Sequence, residues 1–264
     1  MKNKDFKPLS VLYACLMYFF LYVPIIVVIV FSFNTSRRNI TFDGFTLDWY
    51  AEMVQNDQLM ESFYNTLIVA VLSTAISVVI GTLCAVGLYK FEFKLKSLIS
   101  DALYIPIVIP ELVLGIALLV FFSSINISTS MVTLVISHVT FSMPFVVITV
   151  RSRIAGFDRS IEEAARDLGA NELHTFMRVT LPMIAPGVIS GGMLALTMSL
   201  DDVVVSYFTA GPDSQTLPLK ILGMVKKGVS PDVNALSTLM IVGTVAILFI
   251  SRIIQNKMEE KQGN

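Results

Sequence analysis

The sequence predicts an all-α, polytopic membrane protein with six transmembrane helices. Three observations carry that prediction. Of its 264 residues 55% are hydrophobic and only 15% are charged, where a soluble domain carries about a quarter charged residues. Its apolar stretches are long enough for the about 20 residues a helix needs to cross a bilayer. Fourteen of the 19 Lys and Arg residues fall in segments that a six-span topology places on one side, the bias expected of cytoplasmic loops.

The elements follow in order. Pro8 to Ser36 holds no charge and gives a first span near 9–33. Lys2, Lys4 and Lys7 precede it as in a signal peptide, but the apolar run is too long and Ser32-Phe33-Asn34 is a poor cleavage site, so it reads as an uncleaved anchor. Asn34 to Glu61 is the one long external segment and is expected to carry short interfacial helices. Ser62 to Tyr89 is uncharged and gives a span near 64–89. Ala102 to Val150 carries one acid, Glu111. It divides into spans near 102–122 and 131–150 around a polar turn, Ser123 to Ser130. Val179 to Leu200 runs into Asp201 and Asp202, for a span near 183–208. Val233 to Ser251 completes the set near 234–254. Both termini then face the cytoplasm.

Backbone in lipid satisfies its own hydrogen bonds, so the six helices form one bundle. Gly81, Gly87, Gly115, Gly191, Gly192 and Gly243 offer points of close approach, and Pro106, Pro110 and Pro186 are candidate kinks. Cys15 and Cys84 lie within apolar runs and set up no disulfide framework. His138 and His174 lie far from any cysteine cluster, so no metal site is expected. The net charge of −1 argues against nucleic-acid binding.

The loop between spans four and five is specific. Ser160 and Glu163 form a capping-box pattern. Ile161, Ala164, Ala165 and Leu168 then give one apolar helical face, and Gly169 suits the left-handed residue that ends a helix. A second short helix is expected near Asn171 to Val179, at an angle, before Leu181-Pro182 opens span five. The bland reading is a solvated helical hairpin. The pattern of Glu163, Ala164, Ala165 and Gly169, then Leu181 and Pro182, resembles the coupling loop of ABC importer permeases of the binding-protein-dependent (methionine-importer-like) superfamily. Val179 stands where Ile is usual.

The resemblance implies the type I ABC importer permease fold: residues 1–61 an N-terminal helix and outer loop, 62–255 the core with the coupling loop at 151–182, and 256–264 a cytoplasmic tail. It also implies that the loop docks in a groove of a cytoplasmic ATPase. No Gly-x-x-x-x-Gly-Lys-Ser/Thr phosphate loop occurs in the sequence, so ATP and Mg are expected on the partner, and this chain is expected to be neither an enzyme nor a cofactor binder. A narrower similarity, to the second permease subunit of spermidine/putrescine transporters, rests on Gly44-Phe45-Thr46 with Trp49-Tyr50, on the run from Ser199 to Ser206, on Leu217 to Ile221 and on Gly228 to Leu236. The partners it implies are a homologous permease in a heterodimer, two ATPase subunits and an extracytoplasmic polyamine-binding protein, in a bacterial cytoplasmic membrane.

Charge in the membrane bears on cargo. An ionised side chain at the centre of a span costs about 2.5–3.5 kcal/mol on insertion scales. Glu111 falls near mid-membrane in span three and Asp201 in the outer half of span five, with no Lys or Arg inside any span. They are protonated, or face a wet cavity, or are completed by a cationic ligand or partner. Carboxylates at two depths suit an elongated cation. The other reading of Asp201 and Asp202 is an interfacial pair facing water. That of Glu111 is a protonated packing or gating residue. Ser199 and Ser206 share a face with Asp202 and either bind ligand or bond to the backbone. Trp49 is an aromatic-belt anchor or a cation–π contact for an incoming ammonium. Tyr50 and Tyr207 are weaker versions of the same idea, and His138 reads as a buried hydrogen-bonded residue. The alternatives are an ABC permease for another solute and an ion-coupled secondary transporter. An intramembrane enzyme finds no nucleophile with a positioned base.

Overall fold

The structure, a computed structural model, describes residues 7–37, 40–156, 158, 160–224 and 230–263, with side chains from Ser10 to Lys257. Lys2, Lys4, Arg38, Arg159, Lys226, Lys227, Gly228 and Val229, which entered the charge count and the similarity above, lie outside the described residues. The described residues are helical, with one isolated bridge between Asn34 and Phe45. Five helices are long and apolar enough to cross a membrane, or six if one bent pair is a single span.

The chain forms two compact units. One comprises Met1–Met60 and Gly223–Thr244, the other Glu61–Leu222 and Val245–Asn264. The first thus takes in a segment that the sequence reading places in the core. In it, α1 (Lys7–Phe31) carries Pro24 within an otherwise unbroken helix, and its apolar residues are exposed, as they are for a helix meeting lipid. The expected short outer helix is α2 (Asp48–Gln55). The loop before it closes on Asn34. The Asn34 amide donates to the Thr41 carbonyl at 2.6 Å and its side-chain oxygen accepts the Asp43 N–H at 2.8 Å.

In the second unit α3 (Asp57–Lys90) leads to α4 (Lys96–Ala102), α5 (Ile105–Val108), α6 (Glu111–Ser124) and α7 (Met131–Ile154). Span three is therefore not one straight helix. The segment Lys96–Val108 meets α6 at 112°. Pro110 causes the break: it lacks an N–H and forces the residue before it out of the helical region, and Ile109 stands extended at ψ 133°. The turn after α6 falls where the polar residues place it, with Asn126 left-handed at φ 56°. Ser130 and Thr133 form a capping box at the start of α7.

The loop helices are α8 (Ser160–Asp167) and α9 (Glu172–Thr175). A π-turn, Phe176–Thr180, then joins α9 to α10 (Leu181–Asp201). The second loop helix is not separate from span five: Glu172–Asp201 is one continuous helix. Pro182 explains the π-turn. It has no N–H for the preceding turn, and the wider π geometry absorbs the lost bond. After α10 come α11 (Val204–Thr209), α12 (Leu217–Met224) and α13 (Pro231–Gly263).

Small residues set the packing of α3, α7 and α10. A Cβ on Gly81 would lie 2.9 Å from Val146, and one on Gly191 would lie 3.1 Å from the Val146 backbone. Val146 of α7 is thus held between two glycines, within a cluster that includes Val86, Val150 and Ile184. Gly115 and Gly192 are similarly close to Phe208 and Val78, whereas Gly87 and Gly243 have nothing within 4 Å among the described residues. Gly81→Leu is expected to destabilise the bundle by about 1–3 kcal/mol through overpacking. A lowered melting temperature of the purified membrane complex would register it, and Gly87→Leu should change little.

Candidate functional site

Glu111, Asp201 and Asp202 come together around one cavity of 380 Å³ whose walls include Ile107, Phe141, Phe145 and Met198. Among the described residues no Lys or Arg lines it. The two breaks in the helices build it. Glu111 occupies the first turn of α6 rather than the middle of a continuous span. A carboxylate there meets the positive end of the helix dipole, which is the physical reason the chain tolerates it. Asp201 ends α10, and Asp202 is extended at ψ 128°, so span five breaks where the sequence reading continues it.

Asp201 and Asp202 differ in kind. Asp201 is exposed. Asp202 is buried, and its carboxylate accepts the backbone N–H groups of Val205 at 3.2 Å and Ser206 at 2.7 Å, and the Ser206 hydroxyl at 2.7 Å. It caps the first turn of α11, and this competition for N–H groups ends the preceding helix.

A histidine stands beside it. His138 of α7 is fully buried, with Nε2 3.5 Å from the Asp202 carboxylate and 3.0 Å from Ser206 Oγ. Its Nδ1 lies 2.7 Å from Ser199 Oγ, which lies 3.1 Å from Ser73 Oγ of α3. One set of proton positions satisfies every member. Ser73 donates to Ser199, Ser199 to Nδ1, Nε2–H to Ser206, and Ser206 to the carboxylate. The chain of bonds ties α3, α7, α10 and α11 together at the cavity wall.

Two expected contacts are placed elsewhere. The hydroxyl of Ser199 is spent inside this network, and the residue is 3% exposed, so it forms no part of the cavity wall. Trp49 is 7% exposed. Its indole N–H donates to the Asn34 carbonyl at 2.5 Å, and the cation over its ring is this chain's Arg37, 5.9 Å from the centroid. Trp49 holds the outer loop together and does not wait open-faced for an ammonium group. Tyr50 shares that role, with its hydroxyl 2.9 Å from Ser32 Oγ.

The loop 151–182 forms a second site. Asp158, not Ser160, supplies the start of α8: its carboxylate accepts the Ser160 N–H at 2.9 Å, a bond that holds it below the usual carboxylate range. Gly169 has φ +88°, the left-handed conformation its position calls for. Glu163, Ala164 and Gly169 are exposed, as is Pro182, while Ala165 and Leu181 are half-buried. Apolar Ile161, Leu168, Leu173 and Met177 of this loop are also exposed.

Known proteins with these features settle the family. Residues 77–262 match the model of the binding-protein-dependent transport system inner membrane component. This chain belongs to that family. Its members are transport components of the membrane, and the chain is a permease subunit rather than an enzyme. It is 44% identical over 247 residues to the spermidine/putrescine transport system permease protein PotC of Escherichia coli K12, covering 94% of this chain and 93% of the relative. It is 36% identical to the putrescine transport system permease protein PotI of the same organism, covering 97% and 94%. Among solved structures it resembles a bacterial ABC transporter for the acidic polysaccharide alginate, with a TM-score of 0.70 at 14% identity over 97% of this chain and 98% of that one. It also resembles the inward-facing MetNI methionine ABC transporter, with a TM-score of 0.61 at 17% identity over 81% and 99%. These two likenesses show the type I importer permease fold.

The partners of two buried residues of this permease were not legible in the sequence. His138 is the buried hydrogen-bonded residue that the sequence reading expects, but its hydrogen-bond partners Ser199 and Ser206 lie 61 and 68 residues away in the chain. Glu162, next to the motif's Glu163, reads as one more loop charge. Yet it is the buried residue of α8 and accepts bonds from Lys90, at 2.9 Å, and from the Thr180 hydroxyl. Burial pushes the Glu162 carboxyl up, but the bonds from Thr180 and Lys90 outweigh it and leave it below the usual carboxylate range.

Proposed function

We propose that this permease carries polyamines into the cytoplasm as one membrane half of an ATP-driven importer. The observation that carries the reading is the acidic cavity. Glu111 and Asp201 are exposed carboxylates on its wall, Asp202 lies beside them, and no basic side chain among the described residues lines it. An ammonium group pairs with such carboxylates by charge-assisted hydrogen bonds, and the apolar wall of Phe141, Phe145 and Met198 suits a methylene spacer. The names of the PotC and PotI relatives support the same cargo.

In this reading a homologous permease completes the cavity, and two ATPase subunits dock on the loops around α8. A binding protein outside the cell delivers the polyamine. Both chain ends lie in the cytoplasm. ATP and Mg belong to the ATPase subunits, whose closure on ATP opens the cavity outward. Glu111 and Asp201 then take the ammonium groups, and hydrolysis returns the inward-facing state. Affinity stays moderate so that the cation leaves.

The test is uptake by the reconstituted complex. ATP-dependent accumulation of labelled putrescine or spermidine, competed by an excess of either unlabelled polyamine, is the expected result. Uptake of another solute that polyamines do not compete would overturn the cargo. Uptake without the ATPase subunits would overturn the energy source.

A further inference from the structure

We infer that Glu162 is the joint that passes motion from the docking loop to the membrane helices. The neighbouring motif residue Glu163 is exposed, and so are Ala164 and Gly169, which leaves them on the side open to a docked protein. Glu162 faces the other way. Its side chain is 7% exposed and that of Lys90 is 13% exposed. Lys90 is the last residue of α3, a helix of 34 residues. Thr180, itself buried, closes the π-turn that leads into α10. One carboxylate thus fastens α8 to two membrane helices at once.

The geometry makes this fastening unusual within the loop. The other ion pair there, Arg166 with Glu172 at 3.1 Å, is exposed, and exposed pairs contribute only about 0–1 kcal/mol. A buried pair resists breaking, because removal of either partner strands a charge. The rest of the α8 surface is exposed or half-buried, so apolar packing does little to hold the helix. A pull on α8 therefore reaches α3 through Lys90 and α10 through Thr180. The Gly81–Val146–Gly191 contact links those helices further along, and α10 ends at Asp201. Glu162 is a positioning residue: it touches neither cargo nor nucleotide.

The inference rests on the importer reading above, and its test separates the two. The assembled complex is reconstituted as wild type, Glu162→Gln, and the charge exchange Lys90→Glu with Glu162→Lys. Coupling is read as polyamine taken up per ATP hydrolysed, at matched ATPase content of the purified complex. Glutamine keeps the size and a bond to Thr180 but loses the charge. It is expected to lower the coupling ratio about tenfold or more, the scale of one lost charge-assisted bond, with assembly intact. The exchange restores opposite charges at the same positions, and the Thr180 hydroxyl accepts from lysine as readily as it donates to glutamate. It is expected to recover most of the ratio. A wild-type ratio in Glu162→Gln would overturn the inference, as would loss of ATPase from the complex in both variants, which would mark a folding role alone. A wild-type complex that hydrolyses ATP without taking up polyamine would instead overturn the cargo. The joint is then read without cargo, by maleimide labelling of Glu111→Cys in a Cys15→Ser, Cys84→Ser background. Labelling should change with ATP in the otherwise wild-type complex and not in Glu162→Gln. The same change in both would reject the joint.

Discussion

Asp202→Ala is expected to destabilise the permease by about 3 kcal/mol or more, whereas Asp201→Asn is expected to leave it folded and cost it cargo. The two residues are neighbours, and a sequence-level argument treats them alike. Removing the Asp202 carboxylate leaves the Val205 and Ser206 N–H groups and the Ser206 hydroxyl without their acceptor. Each buried donor so abandoned costs about 1–3 kcal/mol, and His138 loses the charge it faces at 3.5 Å. The break between α10 and α11 would then have nothing to hold it. A lowered melting temperature and reduced yield of the purified complex are the readouts. His138→Ala should act in the same direction. The double variant should cost less than the sum of the two, because each has already broken the shared network. Asp201 has no such duties. Its substitution by Asn removes one charge from the cavity, so the KM for polyamine should rise about tenfold, the equivalent of one charge-assisted bond, at unchanged melting temperature. Wild-type uptake by Asp201→Asn would remove it from the binding site. A wild-type melting temperature for Asp202→Ala would show that the cap and network contribute little.

What the sequence made legible was what depends on local pattern. Apolar length located the membrane helices, and the turn at Ser123 to Ser130 follows from polarity alone. Gly169 was readable because a left-handed residue after a short helix has few alternatives. The three acids were readable because charge in a hydrophobic run demands a reason. What stayed hidden depends on side chains meeting across the bundle. Pro110 was marked as a candidate kink, but a bend of 112° depends on which neighbours receive the two halves. The rupture after Asp201 was hidden because Val203 to Thr209 is as apolar as the helix before it. Only the capping bonds of Asp202 reveal the break. The serines drew notice as polar groups near an acid. Their hydroxyls turned out to serve His138, a residue whose partners no spacing rule connects. Trp49 was judged by its type, as an aromatic near an interface, while its burial against Asn34 and Arg37 is a property of the folded loop. The similarity in the outer segments spoke for the family there and not for a ligand contact at each residue.

Gly169→Val is expected to sever transport from ATP hydrolysis while the membrane helices stay folded. At φ +88° an L-residue is strained by about 1–2 kcal/mol, and a β-branched side chain tolerates that region worst. Nothing lies within 4 Å of a Cβ built at this position, so the whole cost is backbone conformation rather than collision. That separation yields an ordered series. Asparagine enters the left-handed region more readily than other non-glycine residues, so Gly169→Asn should retain much of the coupling. Gly169→Ala should lie between, and Gly169→Val should lose coupling about tenfold or more as the chain between α8 and α9 relaxes to negative φ. The two short helices, with their exposed Ile161 and Leu173, would then change their mutual orientation. The readouts are stimulation of ATPase activity by the loaded binding protein and uptake per ATP, with melting temperature as the control. If valine couples as well as asparagine, the bend is not what the ATPase reads. If bulk alone mattered, alanine would be harmless and asparagine would not, and that inversion of the series would replace conformation with contact as the cause.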